Sequence, residues 1–246
     1  MGTHPSKLES HPRIAALAGT VRSQLKIRYV PTESGWAAAI KGRSVEIGYS
    51  ESPYPVSCLA HELLHARLQL NGYRRIKVYF TGHGSHTNFK RFADALDNEL
   101  QHHRMFPDYL ALGLPPEQFY DHQEIGVASE LRHRVFSSAP RDLLSMIPDF
   151  LTVLAPGGEL TPASRSELLG EFMRWAGPQN QAALLEVGAA LDAWGKLPPA
   201  ELNAEATVGR ICRTMHNPCL MWFGYSEGDR PPDKGFFAGP SFSVAE

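Results

Sequence analysis

Residues Val56–Leu70 contain no glycine or proline and are rich in Ala, Leu, Glu, Arg and Gln, which predicts a helix with Ser57 as its N-cap and Asn71-Gly72 as its stop. Inside it lies His61-Glu62-Leu63-Leu64-His65. Two imidazoles four residues apart project from one helical face and can hold one metal ion. Glu62 stands beside them, where a carboxylate can take a proton from an attacking water and hand it on. Leu59, Leu63, Leu64 and Leu68 ask for burial. A fold that satisfies this segment must therefore bury most of the helix and still keep a cleft against its histidine face.

The rest of the composition sharpens the search. Of 11 histidines, seven fall between His61 and His122. The chain has 246 residues, enough for a large apolar core without disulfides, and three cysteines are too few for a disulfide framework. A net charge of -2 argues against a general grip on nucleic acid or an anionic membrane. No apolar run reaches the ~20 residues of a membrane span, and the N-terminus lacks the apolar segment of a secretory signal. The expectation is a cytoplasmic protein with no nucleic-acid or membrane partner.

Along the chain, residues 1–12 read as a polar tail. Ile14–Leu25 has helical spacing and Leu25–Val30 alternates like a strand. Ala37–Ile40 and Ser44–Tyr49 flank Lys41-Gly42-Arg43 as a hairpin. Arg75–Phe80 is a further candidate strand. Asn88–Met105 reads as a helix limited by Pro107, and Glu117–Phe136, Asp142–Leu154, Gln179–Leu197 and Ala200–Met215 as others. Ala155–Pro162 reads as a linker, and Ser164 with Glu167 as a capping box opening a helix to Trp175. The expected fold class is α+β: a small antiparallel sheet packed on the His61–His65 helix and on a second metal-ligand helix, then a helical C-terminal half. The expected organisation is a metal-binding domain over 13–154 and a helical region over 155–246, packed on the first as one unit.

A strand, a hairpin and then a helix bearing His61-Glu62-Leu63-Leu64-His65-Ala66 resembles the core of the zincin metallopeptidases, and among them the small bacterial ImmA/IrrE-type and glutamate-type zincins. The resemblance covers roughly residues 25–110. It implies a Zn2+ cofactor held by His61 and His65, Glu62 as general base, and a peptide or protein substrate. A third histidine six residues beyond His65 is absent, since Asn71 stands there. The Asn88–Met105 helix is the natural source of the third ligand. Glu99, preceded by Asn98, fits the glutamate-type pattern, and His102 is its rival. The two are three residues apart, so both can face one ion, one as ligand and one supporting it. The other reading is a binding or regulatory protein that keeps the scaffold and the metal without turnover.

Asp94 and Asp97 are candidates to orient a ligand imidazole. His83, His86, Tyr120 and His122 are candidates to donate to an oxyanion. Arg74 and Arg75 could meet a substrate carboxylate, although solvated charge is the commoner fate of such residues. Cys212, His216 and Cys219 have the pattern C-x3-H-x2-C, which is more simply read as core cysteines, as is Cys58. Trp175, Trp194, Trp222 and Phe236-Phe237 are expected in the core.

Overall fold

The structure is a computed structural model that describes residues 4–78, 86–120, 126–137, 142–214, 220–224 and 237–238. Residues 4–12, expected as part of a polar tail, are ordered against the fold. They form a short helix, α1 (Pro5–Leu8), and Glu9 just beyond it pairs with Arg22 and accepts from the Tyr29 hydroxyl at 2.7 Å. Helix α2 (Ala15–Gln24) buries Leu17, Ala18 and Val21. Three strands follow, β1 (Lys26–Pro31), β2 (Ala37–Lys41) and β3 (Ser44–Tyr49). Strands β2 and β3 form the expected antiparallel hairpin, with Lys41 facing Ser44 across a two-residue turn and Gly42 at φ 59. The expected all-antiparallel sheet is corrected at β1, which pairs with β3 in parallel and gives the order β1-β3-β2. Alternating burial shows which face of a strand points inward, and it is the same for either strand direction. Strand β2 is therefore an edge of this sheet.

Helix α3 (Pro55–Leu70) carries the histidine pair. Pro55 opens it at a position where the missing N–H costs nothing, and every residue from Ser57 to Ala66 is buried. Ser57 is thus inside the helix rather than its cap, and its hydroxyl donates to Gln118 Oε1 at 2.8 Å. Gly72, at φ 109, ends the helix as expected. Strand β4 (Arg75–Val78) leads to α4 (His86–Ala111), which is longer than expected and continues through Pro107. That proline is exposed and forgoes only its own N–H bond, while packing on either side keeps the helix intact.

The single helix expected over 117–136 does not form. Pro116–Gln118 is one tight 3-10 turn capped by Phe119, the chain bends at Tyr120, and α5 (Val127–Glu130) runs into a π-helical turn at Leu131–Val135. Phe119 is 1% exposed and packs edge-on against Phe106 and Tyr109, so tertiary burial overrides local preference there. Four helices follow among the described residues: α6 (Leu143–Leu154), α7 (Pro162–Ala176), α8 (Pro178–Gly195) and α9 (Glu205–Cys212). Asp142 caps α6, accepting from the Ser145 amide at 3.1 Å. Thr161, not Ser164, caps α7 and accepts from the Ser164 amide at 3.2 Å. Strands β5 (Leu220–Gly224) and β6 (Phe237–Ala238) join β4 in a second, antiparallel sheet. The fold is α+β with a helical C-terminal half. Among the described residues no helix is long and apolar enough to cross a membrane.

Two apolar cores result, and α4 belongs to both. Leu17, Val21, Val45, Ile47, Leu59 and Leu63 pack with Met105 and Tyr109 of α4. Phe92, Leu96 and Leu100 of the same helix pack with α6, α7, α8 and α9. Trp194 of α8 is wholly buried and donates its indole N–H to the Leu100 carbonyl at 2.8 Å. The Arg104 guanidinium lies over its ring, 5.2 Å from the centroid. Trp194→Ala should therefore cost about 3–5 kcal/mol, read as a lower urea midpoint. An unchanged midpoint would show that α8 does not brace α4.

Candidate metal centre

Helices α3 and α4 face each other with opposite chain directions, since Arg67 pairs with Asp108 while Tyr73 bonds Asp97. Their meeting brings His61, His65 and His102 together. All three are buried, and one ligand atom from each lies within 4.8 Å of the others. His61 Nε2 and His65 Nε2 are 3.0 Å apart.

The far nitrogen of each ring fixes its tautomer. His61 Nδ1 donates to the Phe119 carbonyl at 2.7 Å, which leaves a lone pair on Nε2. His65 Nδ1 donates to Gln101 Oε1 at 3.0 Å. The Gln101 amide cannot be reversed, because its Nε2 donates to Asp97 Oδ2 at 2.9 Å. Asp97 is held in turn by the Tyr73 hydroxyl at 2.9 Å, the Ile76 amide at 2.8 Å and Arg75 Nε at 2.9 Å. Glu99 Oε1 lies 3.0 Å from His102 Nδ1, and the Tyr120 hydroxyl 3.2 Å from the same atom. His102 Nε2 is buried without a hydrogen-bond partner among the described residues. An orphaned imidazole lone pair aimed at two others is costly in a protein interior unless a cation joins them. The residues present thus fit a metal ion.

Burial accounts for the electrostatics. Desolvation pushes His65 down to about 3, helped by His102, and pushes His102 down to about 3 against the pull of Asp97. Both rings are neutral near pH 7, which is the form that binds metal. Desolvation lifts Glu99 to about 8, opposed by His103 and Arg165. A cation on the opposite nitrogen of His102 would favour the ionised carboxylate, which accepts the His102 N–H.

Glu62 lines the same cleft as the three histidines, a cavity of about 340 Å³ whose other wall includes Trp36, Ala37 and Ala38 at the start of β2. Of the residues singled out by sequence, His61, Glu62, His65 and His102 come together. Glu99 stands at the far nitrogen of His102, outside the converging set. Asp97 supports His65 through Gln101, whereas Asp94 pairs with Lys90 at the surface. Tyr120 lines the cleft, with its hydroxyl at His102 Nδ1. Cys58 is buried in the cavity wall, 3.2 Å from Ser52 Oγ, and Cys212 is buried in the helical core. Arg74 pairs with Glu205 at 2.5 Å, while Arg75 enters the cleft. His83, His122, His216, Cys219 and Phe236 lie outside the described residues, and His86 is placed only as the first residue of α4.

Sequence reasoning missed Gln101 and the Phe119 carbonyl. Gln101 was detectable in principle, because it lies four residues after Asp97 on the face that meets α3. A backbone carbonyl leaves no mark in the sequence. Gln101→Leu should lower metal affinity by about 10–100-fold, measured by competition with a chromophoric chelator, because His65 loses its fixed tautomer. Full affinity in that variant would remove Gln101 from the site.

No model of a known family, no curated protein and no solved structure matches the chain.

Proposed function

We propose that this protein is a zinc-dependent hydrolase, and specifically a metallopeptidase, with His61, His65 and His102 as ligands and Glu62 as general base. The observation that carries the reading is the convergence of three ring nitrogens beside a carboxylate in one cleft. Three neutral imidazoles are a donor set suited to a catalytic rather than a structural zinc, since a coordination position stays open. Zinc bound there supplies a Lewis acid that polarises the scissile carbonyl and brings the pKa of water towards ~7.

The chain's own groups do the rest. Glu62 takes the proton from the attacking water and returns it to the leaving nitrogen. Phe119 and Gln101 hold the two α3 imidazoles in one tautomer, so no reorientation is needed during turnover. Strand β2 is an edge of its sheet and borders the cleft, which suits an extended peptide that adds alongside it by main-chain hydrogen bonds. That feature favours a peptide over other hydrolysable substrates. The likeness of residues 25–110 to zincins points the same way.

The test is metal analysis of the purified chain together with digestion of a mixed peptide library. The expected result is stoichiometric zinc and internal cleavages that stop with 1,10-phenanthroline and return on adding zinc. Zinc without any cleavage would instead support a metal-holding binding protein, and absence of metal would overturn both readings.

A further inference from the structure

The cleft extends past the histidines, and its far end is built differently. Gln69 lies four residues after His65, as His65 does after His61, so the three form one stripe on α3. Gln69 is one turn further along, ~6 Å beyond His65 on the axis. It is 9% exposed, lines the cavity, and its carboxamide has no hydrogen-bond partner among the described residues. On the facing helix Asn98, one turn before His102, lines the same end. Arg75 lines the cavity as well.

Arg75 is fixed by Nε, which donates to Asp97 Oδ2 at 2.9 Å. Asp97 itself is 1% exposed and saturated by Tyr73, Ile76 and Gln101 as well. The Nη groups of Arg75 make no hydrogen bond to a described residue, and the side chain is one-third exposed in the cleft. A guanidinium held by one edge presents the other edge as a planar pair of donors, the geometry that matches a carboxylate. Glu62 is the only acidic side chain among the described residues lining this cavity, and Asp97, buried behind Arg75, engages only the Nε edge of its guanidinium.

We propose that Arg75, Gln69 and Asn98 form a subsite for a substrate carboxylate, one residue from the bond that is cut. This rests on the metallopeptidase reading and narrows its substrates to peptides with an acidic group there. The group is either a C-terminal carboxylate or an acidic side chain. Arg75 is then a specificity-determining residue, and the two carboxamides add neutral donors that an amide-bearing competitor would use less well.

Thiol probes on the cobalt-substituted protein test this without turnover, because the sulfur–cobalt absorption band reports binding. One pair is mercaptoacetyl-alanine and its primary amide, which examines a C-terminal carboxylate. The other is the α-amides of mercaptoacetyl-glutamate and mercaptoacetyl-glutamine, which examines an acidic side chain. In at least one pair the carboxylate probe should bind about tenfold tighter or better, the scale of one charge-assisted hydrogen bond. Arg75→Gln should reduce that ratio to about twofold or less, and Asn98→Ala, at an exposed position, should lower it in part. Taking the ratio within each variant cancels any general loss of metal affinity. Equal binding in both pairs by the unsubstituted protein overturns the subsite. A preference that survives Arg75→Gln also overturns it, because the carboxylate then sits on the metal. Failure to load cobalt, or to show a thiol band with any probe, overturns the metal reading and the subsite with it.

Discussion

His102→Ala should release the metal, and Glu99→Gln should not. If three imidazoles share a zinc free energy of ~10–16 kcal/mol, removing one weakens binding by about 10²–10⁴-fold. Glu99 touches only the opposite nitrogen of that ring, so its amide variant should lose no more than the ~10–100-fold typical of a supporting group. Chelator competition on the two purified variants reads both values in one assay. The reverse pattern, an empty Glu99→Gln and a loaded His102→Ala, would make the carboxylate the ligand and the imidazole its support. Two further observations separate folding from ligation. His102 is 2% exposed, so the alanine variant leaves a cavity, and its urea midpoint should be compared with that of the metal-free parent. His102→Gln fills most of that space and should release the metal as well.

Glu62→Gln should keep zinc and lose turnover. The amide matches the carboxylate in shape but cannot accept a proton, so the loss isolates proton transfer and should reach about 10²–10⁴-fold in kcat. Metal stoichiometry and urea midpoint should stay close to the parent values, since Glu62 is not among the converging ligand atoms. Cleavage within a few-fold of the parent would exclude Glu62 as the base. A protein that has zinc but never cleaves would show no change on this substitution, so the same variant separates the enzyme from the binding protein.

The α3 half of this centre was legible because its logic is local. His61, Glu62 and His65 belong to one helix, and a spacing of four is enough to place them together. The other half was not. On α4, Glu99 and His102 share a face, and helical periodicity cannot say which of two neighbours turns its donor inward. Only the depth of each residue and the direction of the His102 ring separate them. The segment after Pro116 misled for a different reason: its residues favour a helix, but burying Phe119 among aromatic rings gains more than a helical turn does. Strand β1 was placed on the correct face and assigned the wrong direction relative to β3, since hydrophobic alternation has no polarity. Arg75 was visible as a charged residue, but nothing local indicated that Asp97 would hold it inside the cleft.

The double membership of α4 has a consequence for chelation. Two imidazoles are delivered by a helix bedded in the N-terminal core, and the third rides on a helix pinned at Leu100 and Arg104 by the C-terminal one. The effective concentration of His102 at the other two rings is therefore set by packing made more than 90 residues downstream. Loosening α8 should weaken metal affinity before the chain unfolds, so the bound ion acts as a gauge of how firmly the second half of the protein is seated.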